Sequence, residues 1–360
     1  MKKATYILLT IFSFSAFGND GIYLTRGGVI YPTVENSISI DKEILSFKVI
    51  DKKCLVNIQF EFYNHDSVNK KLIVGFQAPT ANGDVSDSIC NLNQIENFTI
   101  VNNGKIIPYK LKAAECEDCV LKEPNQFRFS QSEPGVFIFL FEIDFQPGLN
   151  KISHSYSFPA TSNVAFDQIY NYILTTGAKW KGGAIKEFEM QIDLGENCYF
   201  FVKDIFGENS TWNIIGTGKV TETSFINYDD NENKMIRILS GYLKVTSNDL
   251  KPTENIEFGI IDDYSFITAP TDFQKIQDGK VLGISDFYIN PDYNYSKKDL
   301  RLIRNTVYAQ YGFDFNSMDL KEYFSQFDWY MPNPNLKLDD IKLSKEEKEF
   351  IELILKMEEE

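Results

Sequence analysis

The sequence predicts a mainly β protein that ends in a small α-helical domain, with one or more antiparallel β-sandwich regions ahead of it. Three observations carry this reading. From Ile22 to about Ile261 the apolar residues recur with a period of two, the spacing of strands that bury one face. Short turn-forming pairs interrupt that pattern at intervals of strand length. Near residue 290 the period lengthens to that of a helix, and two capping boxes appear.

The elements follow in order. Lys2 and Lys3 precede a charge-free apolar stretch, Ala4 to Phe17, and Ala16-Phe17-Gly18 places small residues where a signal peptidase reads them. Residues 1–18 are therefore expected to be a Sec-type signal peptide cleaved after Gly18. The stretch is shorter than the ~18–20 apolar residues that cross a bilayer, and the longest later run, Val136 to Phe141, is strand-sized. The mature chain is expected to be periplasmic or secreted and not membrane-spanning. Its 43% hydrophobic and 24% charged residues suit a packed core rather than a disordered chain. Loss of the two leader lysines takes the formal charge from −15 to −17, a field that repels a nucleic-acid backbone.

Residues 19–267 read as β-sandwich, either one unit or two split near 160–185. In Cys54 to Tyr63, Val56, Ile58, Phe60 and Phe62 share one face, and Asn57, Gln59 and Glu61 share the other. In Lys151 to Phe158, Ile152, His154, Tyr156 and Phe158 alternate with a lysine and three serines. Phe188, Met190, Ile192 and Leu194 alternate with polar residues in the same way. Val136 to Phe141 reads as a central strand, buried on both faces. Turn chemistry lies at Asn102-Asn103-Gly104, Pro134-Gly135, Pro147-Gly148, Gly182-Gly183 and Tyr228 to Asn233. Residues 268–286, with Pro270, Gly279 and Gly283, read as a linker.

Residues 287–360 form the helical domain. Ser296-Lys297-Lys298-Asp299 caps a helix whose stripe is Leu300, Ile303, Val307, Tyr308 and Tyr311, and Gly312 stands where a left-handed C-terminal cap belongs. Arg304, at the stripe's edge, is expected to reach carbonyls or an acid such as Asp328, while Gln310 is expected to point away from the stripe. A second helix is expected over Met318 to Gln326, then a loop from Asp328 to Pro334. Ser344-Lys345-Glu346-Glu347 opens a last helix with Phe350, Ile351, Ile354 and Leu355 on one stripe. Its terminal Glu358-Glu359-Glu360 opposes the helix dipole and is expected to fray.

Two resemblances add to this. The string Arg304-Asn305-Thr306-Val307-Tyr308-Ala309-Gln310-Tyr311-Gly312, followed by Phe313, Phe315, Leu320, Tyr323-Phe324 and Trp329-Tyr330 with Pro332, resembles the YARHG domain. That domain is found at the ends of exported or surface-exposed bacterial proteins, and its molecular function is unknown. The likeness covers about 290–357, with Arg304, Asn305, Tyr308, Ala309, Gly312 and Trp329 as structural motif members. It departs at the name-giving positions, where Gln310 and Tyr311 replace Arg and His, so no histidine can act there. The β region, about 20–265, is similar to a bacterial family of exported proteins of unknown function. Tyr172 to Gly182, carrying Leu174-Thr175-Thr176-Gly177 and Trp180, is its most specific part.

The chemistry-bearing residues are few. With His65 and His154 alone, a three-histidine metal site is short of ligands, and no cofactor or metal is expected. His154 lies in the apolar phase of its strand and reads as a core histidine; His65, between Asn64 and Asp66, reads as solvated. Cys116 and Cys119 have redox or zinc half-site spacing, but Glu117 and Asp118 oppose a thiolate and no second ligand pair lies nearby. They are a possible disulfide, with Cys54, Cys90 and Cys198 also present. Asp229 to Asn233 lacks the glycine and spaced acids of a calcium loop, and Gly216-Thr217-Gly218 lacks the third glycine of a dinucleotide site. Trp180, Trp329 and Tyr330, in turn-rich or proline-flanked segments, are the candidate binding residues. The expected function is non-enzymatic binding of a protein or glycan of the cell envelope. The alternative is a hydrolase acting on an envelope polymer through paired carboxylates.

Overall fold

A computed structural model describes residues 20–26, 29–33, 35–78, 93–114, 121–126, 136–161, 168–196, 198–221, 233–261, 295–327 and 330–359. The chain forms β1 (Asp20–Arg26), β2 (Val29–Thr33), β3 (Ile38–Ile50), β4 (Lys53–Asn64), β5 (Lys70–Ala78), β6 (Glu96–Asn102), β7 (Lys105–Ile106) and β8 (Tyr109–Ala114). It continues through β9 (Val136–Phe145), β10 (Gly148–Pro159), β11 (Ile169–Tyr172), β12 (Ile185–Asp193), β13 (Cys198–Lys203), β14 (Thr211–Thr221), β15 (Asn233–Leu250) and β16 (Ile256–Ile261). Three helices follow: α1 (Lys297–Gln310), α2 (Met318–Phe324) and α3 (Lys345–Glu359). The protein is thus mostly β, with its helices at the C-terminus.

The strands make a five-stranded sheet, ordered β2-β1-β5-β9-β8, and a large sheet, ordered β11-β16-β13-β15-β12-β3-β4-β10-β6-β7, with β14 paired to β15. The alternation read from the sequence sets which side chains point inward. Val56, Ile58, Phe60 and Phe62 of β4 and Ile152, His154, Tyr156 and Phe158 of β10 meet Val74, Phe76, Phe139, Phe141 and Phe145 of the small sheet in one core. β9 is flanked on both edges, as a central strand should be, and Ile138 on its other face starts a small second cluster with Leu121 and Leu140.

The regions before and after residues 160–185 share one sheet, because β3 and β12 pair in parallel from Ile40 with Ile185 to Lys48 with Asp193. An antiparallel expectation misses this pair, since a parallel neighbour arrives only after a long connection. β15 then changes partners along its length. Its first half pairs with β13 and its second with β12, while β14 follows it on the other edge. Between those two stretches Gly241 (φ +95°) faces Gly216 (φ +127°) of β14, and a Cβ on either would overlap a main-chain oxygen of the other strand.

The helices do not stand apart from this body. Phe200 and Val202 of β13 face the main core, whereas Tyr199 and Phe201, with Met235 and Ile169, pack with Leu300, Ile303, Val307, Phe315, Phe324 and Ile354 of the helical region. Both capping boxes form: Ser296 with Asp299, and Ser344 with Glu347 (Glu347 N–H to Ser344 Oγ, 3.1 Å; Ser344 N–H to Glu347 Oε2, 2.6 Å). Gly312 takes φ +79° as expected, and it also packs against the Met331 carbonyl and Leu239 of β15.

Three expectations for this region change and one is met. α2 ends at Phe324, two residues early. Arg304 reaches an acid, as expected: Nε and Nη2 donate to the two carboxylate oxygens of Glu358 at 3.1 and 3.3 Å, and Asp328 lies outside the described residues. Lys297 Nζ donates to the Glu358 carbonyl at 2.7 Å, so α3 stays helical through Glu359 instead of fraying. Gln310 is buried, and its carbonyl accepts a 2.7 Å hydrogen bond from Arg237 of β15. The linker 268–286 lies outside the described residues.

Candidate functional site

A groove of about 380 Å³ lies on the outer face of the large sheet, over β4, β10 and β6. Its shape follows from side-chain size. β10 is the middle strand, paired with β4 from Gly148 to Pro159 and with β6 from Ile152 to Ser157. Its outward residues here are Ser153 and Ser155, whose short side chains form a floor. Opposite them in register stand Gln59 and Asn57 of β4 on one side and Val101 and Thr99 of β6 on the other, which form the walls. The rim beside β6 is the turn Asn103-Gly104, with φ +47° and +80°, the conformation that tight hairpins demand. Asn103 Oδ1 accepts from the Lys151 amide at 2.8 Å and ties the turn to β10.

The groove holds one carboxylate among its lining residues, Glu61, and Lys151 lies 3.0 Å from it across the strand pair. Among the described residues, Asn57, Gln59, Ser153 and Ser155 direct no side-chain hydrogen bond to other protein groups. Their amides and hydroxyls face solvent with donor and acceptor capacity uncommitted. Two residues beyond Glu61, on the same face of β4, Tyr63 is 40% exposed. Its ring centroid lies 4.8 Å from that of His65. The Ser39 hydroxyl donates to Asp41 at 2.6 Å, so its oxygen accepts from His65 Nε2–H at 2.9 Å.

The residues singled out from sequence lie elsewhere. Trp180 is a core residue, 1% exposed, with its ring 4.5 Å from Phe62 and 5.9 Å from Phe145. It follows a short 3-10 helix, Thr175–Lys179, which turns it inward, so a recognition role at the surface is corrected to core packing. Tyr330 is also buried: it packs beside Phe315 and Phe324 and donates its hydroxyl to the Phe313 carbonyl at 2.8 Å. Burial and the nearby Asp314 push that phenol up to about 12. Trp329, Cys116 and Cys119 lie outside the described residues.

Of the structural motif residues, Arg304, Asn305, Tyr308 and Ala309 lie on α1 and Gly312 follows its end. Asn305 Nδ2 donates to the Arg301 carbonyl at 2.7 Å, Ala309 is buried, and Tyr308 is half-buried. Tyr311 donates to Glu347, which is also the capping acid of α3. His154 sits in the core with its ring 5.5–5.8 Å from those of Phe60, Phe76, Phe98 and Phe141. Cys54 is a buried free thiol whose pKa burial pushes well up, and Cys198 Sγ lies 3.5 Å from the Gly195 carbonyl. Among the described residues no three His, Cys, Asp or Glu side chains are grouped to hold a metal ion, and no helix is long and apolar enough to cross a membrane.

Sequence reasoning missed the groove residues. The signal was present as the alternation of Ser153 and Ser155 with apolar residues, but it read as an ordinary solvated face.

Comparison with known proteins adds the following. Residues 285–359 match the YARHG domain family. No curated protein matches the chain. Among solved structures, a candidate nutrient binding protein from Legionella pneumophila is 19% identical, with 95% of this chain and 98% of that one covered at a TM-score of 0.46. A mutant M1 zinc metallopeptidase from Deinococcus radiodurans is 8% identical, covering 64% of this chain and 44% of that one at a TM-score of 0.27. At these TM-scores neither likeness bears on function.

Proposed function

We propose that this chain is an exported binding protein of the bacterial envelope, which holds a protein or glycan without converting it. The groove over β4, β10 and β6 carries the proposal: among the described residues it presents uncommitted amides and hydroxyls and one carboxylate, itself held by Lys151. Acid–base hydrolysis of a glycosidic bond needs two carboxyl groups about 5–10 Å apart in one cleft, and a lone, charge-paired Glu61 supports binding over that alternative. Export is supported by the leader, with Lys2, Lys3, the apolar stretch and Gly18 in signal-peptide order. The YARHG match fits the same setting.

The test is co-sedimentation of the mature protein with the envelope pellet of its own cell. Wild type is expected in the pellet, and Ser153→Phe, which fills the groove floor from an outward position, is expected in the supernatant. Equal sedimentation of the two would remove the groove from the binding function.

A further inference from the structure

We infer that the ligand of this groove is a neutral oligosaccharide, lying along β10 with one sugar stacked on Tyr63. This rests on the binding reading above and names its ligand class. Charge is the first argument. Glu61 and Lys151, the charged pair lining the groove, neutralise one another at 3.0 Å, and the flanking outer face is paired likewise: Lys42 with Glu187, Lys48 with Asp193, Lys244 with Glu189. A cationic ligand therefore finds no unpaired acid among the described residues that line the groove. An anionic one meets the field of a chain with formal charge −15. A neutral ligand is the complement of such a strip.

The second argument is the chemistry of the lining. Asn57 and Gln59 each offer amide donors and an acceptor oxygen, and Ser153 and Ser155 each offer a hydroxyl that does both. Sugar hydroxyls need that same dual capacity. The third argument separates glycan from peptide. The main chain of β10 is already paired on both edges, so an extended peptide cannot add here as a strand and would lose the backbone bonds that give such docking its affinity.

Tyr63 supplies the fourth. An aromatic ring exposed at the end of a hydroxyl-lined groove matches the apolar C–H face of a pyranose. This ring is steadied before any ligand arrives, through His65 and the Ser39–Asp41 hydrogen bond behind it, which lowers the entropy lost on binding.

The experiment is calorimetric titration of the full mature chain with hexamers of α-1,4-glucose, β-1,4-glucose and β-1,4-N-acetylglucosamine, and with hexagalacturonate as the anionic counterpart. At least one neutral hexamer is expected to bind with Kd below about 1 mM, and hexagalacturonate is not. Tyr63→Ala is expected to weaken that binding at least tenfold and Ser153→Phe to abolish it, with thermal melts unchanged. Gln59→Ala, a truncation at an exposed site, replaces Ser153→Phe if the latter disturbs the sheet. Binding of no neutral hexamer, binding indifferent to these variants, or equal binding of hexagalacturonate would each overturn the assignment. If no hexamer binds while Ser153→Phe still abolishes envelope co-sedimentation, the glycan assignment alone fails. If co-sedimentation is also unaffected, the binding reading fails with it.

Discussion

Glu35 shows how a single buried charge is made tolerable. Its carboxylate is 5% exposed, and Oε1 accepts from the Ser37 amide at 2.6 Å, the Ser37 hydroxyl at 2.7 Å and Lys70 Nζ at 2.7 Å. Burial by itself would raise its pKa; the Lys70 and Ser37 hydrogen bonds outweigh burial and hold it below the ordinary 4.5. A depressed folded-state pKa stabilises the fold above the unfolded value and loses that contribution as pH falls through the folded one. Glu35→Gln is therefore expected to cost about 1–3 kcal/mol at pH 7, with the two proteins converging in stability below the ordinary carboxylate range. Urea unfolding at pH 7 and at pH 3 checks this, and a cost independent of pH would show that the charge is not what stabilises. Nothing in the sequence around Glu35 marks it, because Lys70 reaches it from β5, 35 residues along the chain. Trp180 and Tyr330 failed as surface candidates for a related reason. A turn-rich neighbourhood says that the backbone bends, and only the packed neighbours say which way the ring then points.

Between elements, the contact with most at stake is Arg237. On β15 its neighbours Ile236 and Ile238 face the main core, so the strand's alternation sends Arg237 toward the helices, 1% exposed. Its guanidinium lies 4.0 Å from the centroid of the Tyr199 ring, and Nη2 donates at 2.7 Å to the carbonyl of Gln310, the last residue of α1. A cation at a helix C-terminus also meets the negative end of the dipole. The body thus caps the helix that carries the motif. Arg237→Met is expected to cost about 2–4 kcal/mol, since it strands a buried carbonyl and loses the ring contact. Arg237→Lys should recover only part of this, because an ammonium lacks the planar fork. Denaturant unfolding followed by both circular dichroism and tryptophan fluorescence reads the loss. A cost within 0.5 kcal/mol for Arg237→Met, the range of an ordinary surface change, would mean that the helices dock without it.

At the scale of the whole molecule, the helical region closes a sheet face that would otherwise be apolar. Tyr199, Phe201, Met235 and Ile169 share their cluster with α1, α2 and α3, so the β body and the module are expected to stabilise one another. A chain ending at residue 267 uncovers those side chains. At about 1.5–3 kcal/mol for each large one, its melting temperature is expected to fall by about 10 °C, and it should bind the dye ANS. An unchanged melt without dye binding would make the two parts independent domains joined by a linker. What the sequence determined by itself was local: strand or helix, the apolar phase of β4, β10 and β12, the capping boxes at Ser296 and Ser344, and the turn at Gly312. Those features depend on residues a few positions apart, and periodicity records them. Tertiary structure alone decided the parallel pairing of β3 with β12, the facing glycines of β14 and β15, the reach of Arg237 to Gln310, and the groove. Alternation states which residues share a face, but not which face is buried or which distant strand lies beside it. Asn57, Thr99 and Ser155 became one surface only when β4, β6 and β10 came into register.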